Sequence, residues 1–157
     1  MDETVTVDVI VAAPGDGVPG DDVIGAWVRA VFEKFPDASP VEVSVRIVDE
    51  SESRSLNSRY RGKDNATNVL SFPAGDEQMF PAGMPKPIGD IVICGAVVLA
   101  EANAQEKDVD NHWAHMVVHG TLHLLGYDHE VSEEADAMEA IETQILASRG
   151  VPNPYLP

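Results

Sequence analysis

The residues best suited to chemistry are His119, His123 and His129, inside the run H-G-T-L-H-L-L-G-Y-D-H. His119 and His123 are four apart. On a helix, residues i and i+4 stand one turn apart on the same face, so both imidazoles can reach one metal ion. Gly126 permits the left-handed backbone that ends a helix. The turn Gly126-Tyr127-Asp128 then carries His129 back toward the pair. Three nitrogen ligands leave one tetrahedral position open, which is how catalytic zinc is held, whereas structural zinc is closed by four. The expectation is one zinc per chain. A His pair at this spacing can also be accidental on a polar face. Here the flanking Met116, Val117, Val118, Leu122, Leu124 and Leu125 are apolar. The helix is therefore largely buried, and imidazoles buried without partners are costly.

The neighbours of this trio read differently. His112 and His115 share its helical face, but each turn advances about 5.4 Å, so the whole file cannot serve one ion. They are bystanders, or at most groups that orient a ligand. Asp128 is a turn residue more than a carboxylate steering an imidazole. Thr121 is structural, and Cys94, in a buried strand, is a small hydrophobe. Position 120 discriminates between chemistries. Zinc peptidases of the H-E-x-x-H type place a glutamate general base there, and this chain has Gly120.

Several elements must position these residues. Residues 4–11 alternate, with Val5, Val7, Val9 and Val11 on one face, as a half-buried strand does. After a Gly/Pro loop, Asp21 can cap a helix running to Phe35, with Ile24, Trp27, Val28, Val31 and Phe32 at helical spacing. Val41, Val43, Val45 and Ile47 mark a second strand. Asp49 and Glu52 have capping-box spacing before a short polar helix, residues 51–61, with Leu56 and Tyr60 on its inner face and Gly62 at its end. Residues 67–72 and 89–94 read as strands. The Pro/Gly-rich residues 74–88 between them read as a long loop able to act as a flap. Residues 96–107 read as a helix, Asp108 or Asp110 caps the His-bearing helix, and Ser132 caps a last helix with the stripe Met138, Ile141, Ile145. The tail V-P-N-P-Y-L-P reads as loose. Four strands mixed with four or five helices, without strict alternation, imply α+β: a small mixed four-stranded sheet packed on helices.

With 157 residues, the chain is of single-domain size, residues 1–157. It lacks the roughly 20 continuous apolar residues of a membrane span and any signal-peptide pattern. Its lone cysteine allows no internal disulfide, so a cytoplasmic protein is expected. The net charge of −17 repels nucleic acid at long range. Four of the ten basic residues, however, fall within ten positions: Arg54, Arg59, Arg61 and Lys63. They can form a local phosphate-binding patch, or simply be solvated charges.

The segment H-G-T-L-H-L-L-G-Y-D-H resembles the signature of the YbeY family of bacterial rRNA-maturation endoribonucleases. A second block, L-N-S-R-Y-R-G-K-D-N-A-T-N-V-L-S-F-P followed by G-D-I-V-I, resembles the family in order and spacing. Ala66 departs from it, standing where the family usually carries proline. The resemblance implies a His helix at the centre of the fold. It implies a zinc-dependent, single-strand-specific endoribonuclease acting in rRNA maturation and ribosome quality control. Its implied partners are single-stranded RNA, small-subunit rRNA, and ribosomal proteins or a ribosome-assembly GTPase. Through it, Arg61 is expected to act in catalysis beside His119, with Arg59 and Lys63 as lesser charges near the substrate path. Guanidinium suits this role, since its fork of donors matches two phosphate oxygens. The competing expectations are a metallopeptidase-like hydrolase, disfavoured by Gly120, and a non-catalytic ribosome-associated zinc protein, which needs a fourth ligand.

Overall fold

The computed structural model describes residues 5–38, 40–74, 84–127 and 132–155. Four strands, β1 (Val5–Val11), β2 (Val41–Val48), β3 (Val69–Pro73) and β4 (Lys86–Cys94), form one mixed sheet in the order β1-β2-β4-β3. β1, β2 and β4 run parallel, and β3 is antiparallel to β4. Five helices accompany it: α1 (Asp21–Phe32), α2 (Glu50–Arg61), α3 (Gly95–Ala104), α4 (Val109–Leu124) and α5 (Ser132–Ser148). This is the expected α+β arrangement.

The Val alternation does the work foreseen for it. Val41, Val43, Val45 and Ile47 are all buried on one face of β2, because successive strand side chains point to opposite sides. Against that face lie α1, through Ile24, Val28 and Val31, and α4, through Trp113, Val117 and Leu122. α4 is the hub, packing against α1, α3, α5, β3 and β4. Gly120 explains how it comes so close. A Cβ there would meet Ile91 Cγ2 at 2.9 Å and Val69 Cγ2 at 3.1 Å, so only glycine lets the helix lie this near the sheet.

Several boundaries differ from the sequence expectation. α1 stops at Phe32, and Gly20, not Asp21, is its N-cap. Asp21 and Asp22 sit in the first turn, where negative charge favours the helix dipole. β4 begins at Lys86, so residues 86–88, expected as loop, are strand. Pro87 is tolerated beside a register shift between Glu42 and Val43, where the regular ladder is already broken. Gly89 follows at φ 147°. The proposed flap itself falls largely on residues 75–83, outside the described residues. Tyr60 is 60% exposed rather than inward. The tail is anchored through residue 155: Val151 is buried and its N–H donates to Leu146 O at 2.9 Å, while Lys107 Nζ donates to Pro154 O at 3.0 Å. No helix among the described residues is long and apolar enough to cross a membrane.

Candidate metal centre and its cavity

α4 begins at Asp108, whose carboxylate accepts from Asn111 N–H at 3.2 Å, an N-cap that fixes the helical phase of every histidine after it. It ends where the glycine was expected to end it. Gly126 takes φ 98°, and Tyr127 N–H donates back to Leu122 O at 3.1 Å, satisfying a carbonyl the helix would leave open. Between these ends His112, His115, His119 and His123 form a file of rings, each edge-on to the next.

The two central members meet as their spacing requires. His119 Nε2 and His123 Nε2 are 3.0 Å apart. Two nitrogens bound to one tetrahedral zinc at about 2.0–2.1 Å would be about 3.3 Å apart, so a small opening of the pair accommodates the ion. Two lone pairs this close repel unless a proton or cation lies between them. His129 and Asp128 lie outside the described residues.

The other nitrogen of His119 has a partner that the sequence did not reveal. His119 Nδ1 lies 3.2 Å from Glu142 Oε1. His115 Nε2 lies 2.7 Å from Glu142 Oε2, and the Tyr155 hydroxyl donates to that same oxygen at 2.8 Å. Glu142 is fully buried on α5, among Met138, Ile145 and Leu146. Burial pushes its carboxyl up, but hydrogen bonds from His115 and His119 and their charge outweigh this and hold it at about 2. Burial, together with the Glu142 carboxylate, pushes the Tyr155 hydroxyl well above its ordinary range, so it remains a donor. His115, His119 and Glu142 bring ligand-type atoms within 4.8 Å of one another and could themselves hold a metal ion. The 2.7 Å contact is a hydrogen bond, however, and Glu142 itself is fully buried. The open side is that of the two Nε2 atoms.

The remaining histidine is accounted for separately. His112 Nε2 lies 3.0 Å from Glu101 Oε1, and Glu101 also accepts from Asn68 Nδ2 at 3.0 Å. His112 is thus tied to α3 and the start of β3, away from the pair. Cys94 is buried with Val48, Leu70 and Val92, and burial raises its thiol pKa. It is the inert hydrophobe expected.

A cavity of about 590 Å³ opens beside His119 and His123. β3, Gly126 and Tyr127 form part of its wall, and Tyr60 and Arg61 at the end of α2 form another part. The α2–β3 block is built to place that end. Asp49 caps α2 by accepting from Glu52 N–H at 2.8 Å. The reciprocal half of the capping box is absent, because Glu52 pairs with Arg46 instead. Asn57 Nδ2 donates to Asn65 O, and Ser53 Oγ donates to Thr67 O, both at 2.9 Å, which folds the connecting loop against the helix. Gly62, at φ 71°, closes the helix directly after Arg61. Of the four clustered basic residues, Arg54 is neutralised by a two-pronged pair with Asp64, at 2.7 and 2.9 Å. Among the described residues Arg61 makes no ion pair, so its charge faces the cavity uncancelled. Tyr60 stands edge-on to Phe72, ring centres 5.1 Å apart, and both line the same cavity.

Known proteins are similar to this chain in sequence and in fold. Residues 20–150 match the family model described as Endoribonuclease YbeY. The chain is 50% identical over 151 residues to the Endoribonuclease YbeY of Xanthomonas campestris pv. campestris, covering 95% of this chain and 92% of that protein. The solution structure of TM1509 from Thermotoga maritima superposes with a TM-score of 0.59 at 24% identity, covering 97% of this chain and all of that one, a likeness of fold. The match spans both the His helix and the arginine-bearing block that frame the cavity, and the chain belongs to the Endoribonuclease YbeY family.

Proposed function

We propose that this chain is a zinc-dependent endoribonuclease that cuts single-stranded RNA, and that it works in the cytoplasm on small-subunit rRNA, in maturation and quality control, alongside ribosomal proteins or an assembly GTPase. Residues 1–157 act as one domain. The observation that carries this reading is the sharing of one cavity by an imidazole pair and an uncancelled guanidinium. His119 and His123, with His129 as the third ligand, are the residues that would hold the ion. Zinc bound there would supply positive charge for a phosphoryl oxygen.

The chain's own groups do the rest. Glu142 accepts the Nδ1 proton of His119, which leaves the Nε2 lone pair directed at the ligand position. Arg61 pairs with a phosphate and steadies the charge that grows on it as the diester bond breaks. Tyr60 and Phe72 offer aromatic surface on which an unstacked base can rest. A flexible strand can enter this wall-lined cavity while keeping most of its phosphates away from the acidic body. A rigid duplex would press its dense charge against a protein of net charge −17. Peptidase chemistry is disfavoured further by Gly120, since the position where peptidases carry their glutamate points at Ile91 and Val69 in the sheet.

The test uses purified, zinc-loaded protein on one RNA presented single-stranded and annealed, with a generic protein substrate in parallel, across a range of salt concentrations. The expected result is preferential cleavage of the single strand that slows as salt rises. Equal cleavage of both RNA forms at every salt concentration, or cleavage of protein alone, overturns the proposal.

A further inference from the structure

The geometry points to Glu142 as a positioning residue for the metal centre, and to Tyr155 in the carboxyl-terminal segment as the group that keeps Glu142 in place. This deepens the proposed reading of His119 as a ligand and rests on it.

A carboxylate with no exposure on the apolar stripe of α5 is destabilising unless its lone pairs are filled. Here they are filled by three groups from two other segments: His115 and His119 on α4, and Tyr155 beyond α5. An ionised carboxylate only accepts. The facing nitrogen of His119, Nδ1, must therefore carry the proton, and the lone pair sits on Nε2, the atom 3.0 Å from His123. Glu142 thereby fixes both the tautomer and the ring orientation of a ligand, the function such outer carboxylates serve in metal sites. Its negative charge also makes the imidazole a stronger donor.

Glu142 needs an anchor of its own, because a Glu side chain has three rotatable bonds. His115 supplies one contact, and Tyr155 the other, to the same oxygen. Tyr155 is delivered by a backbone that is held down: Val151 is buried against the core, Lys107 ties Pro154, and the Tyr155 ring stands edge-on to His115 at 5.3 Å. The tail therefore acts as a strap over His115 and Glu142. His115 gains a role from the same contact, as a spacer between the strap and the ligand.

The experiment measures zinc affinity by competition with a chromophoric chelator and the His119 tautomer by side-chain nitrogen NMR. It compares the full chain with Glu142→Gln and Tyr155→Phe, using His123→Ala as the reference for loss of a ligand. Glu142→Gln should weaken zinc by about 10- to 100-fold and raise the fraction of His119 protonated on Nε2 in the metal-free protein. Tyr155→Phe, which removes one charge-assisted hydrogen bond from the Glu142 carboxylate but leaves the carboxylate and its two histidine partners, should weaken zinc by about five-fold, less than Glu142→Gln. Unchanged affinity and unchanged tautomer in variants that melt like the parent would make Glu142 a structural residue only and overturn the inference. Loss of zinc from Glu142→Gln as complete as from His123→Ala would make it a direct ligand, which also overturns it. Should Glu142→Gln fail to fold, Tyr155→Phe decides, since Tyr155 is 43% exposed and the change removes only a hydroxyl. RNA is not used in these measurements. A chain that behaves as expected here and cuts no RNA refutes the proposed activity and leaves this inference standing.

Discussion

Replacing Gly120 by alanine sets two effects of known size against each other. In an exposed helix interior the change gains about 0.8–1.0 kcal/mol of helix propensity. Here the new methyl would sit 2.9 Å from Ile91 Cγ2, 3.1 Å from Val69 Cγ2 and 3.3 Å from Ser71 Oγ. Both carbons are branches on Cβ and not flexible ends, and Ile91 is fully buried, so neither swings aside without moving backbone. Overpacking of this kind costs about 1–3 kcal/mol. Sheet separation would also stretch the Ser71 hydroxyl bond to Gly120 O, now 2.9 Å. Subtracting the propensity gain leaves a loss of up to about 2 kcal/mol, to which the strained Ser71 bond adds about 0.5–1.5 kcal/mol, seen as a melting point lower by about 2–8 °C. Gly120→Glu adds a carboxylate facing Ile91 and should cost several times more. Urea titration of the metal-free protein measures both, with an unchanged slope confirming that folding is still two-state. An alanine variant as stable as the parent, or more stable, would refute the claim that α4 is held to the sheet through this glycine.

Other perturbations separate binding, chemistry and stability. Arg61→Ala should keep zinc and melt like the parent yet lose RNA cleavage by about thirty- to several-thousand-fold, the range for one charge-assisted phosphate contact. Lysine should rescue it poorly, since it replaces a planar fork with a point charge, and single-turnover cleavage reads both. His123→Ala should release zinc, measured by elemental analysis, because one nitrogen of the meeting pair is gone. In the metal-free protein Glu142, held at about 2 in the folded state against an ordinary 4.5, contributes stability that is present above pH 4.5 and lost as pH falls toward 2. Glu142→Gln should flatten that part of the stability–pH curve, followed by urea midpoints between pH 6 and pH 2.

What could be read in advance were periodic signals. Val41 to Ile47 alternate because one face of β2 is core, and the cap at Asp108 and stop at Gly126 follow from local backbone chemistry. The i, i+4 spacing of His119 and His123 predicts their meeting, since helix geometry alone produces it. Less legible was anything decided by distant partners. Pro87 reads as a loop residue until the register shift on β2 that accommodates it is visible. Tyr60 looks inward from its spacing to Leu56, but α2 meets the sheet only lightly and the ring is left facing the cavity. Val151 and Tyr155 sit among prolines, and nothing local says that Leu146, Lys107 and Glu142 hold that segment. Glu142 did leave a trace: a carboxylate four residues after Met138 and three before Ile145 lies on the apolar stripe, where an acid calls for a buried partner. That trace becomes a site only when His115 and His119 arrive from another helix.

Within about two turns of the His helix, each of its sides has a separate task. Nε2 of His119 and of His123 point to the cavity. One residue on from His119, about 100° around the helix, Gly120 faces the sheet and sets how near the whole helix lies to β3 and β4. One turn back, His115 faces α5 and, with the second nitrogen of His119, closes on Glu142. Moving any one of these by a single position would rotate it away from its surroundings. The histidine pair could be transplanted onto many helices. The glycine that seats this helix and the carboxylate that orients its ligand depend on the sheet and on α5. The proposed metal centre would therefore be a property of the packed helix and not of the motif alone, and variants at Gly120 and Glu142 should disturb zinc binding without touching either nitrogen of the pair.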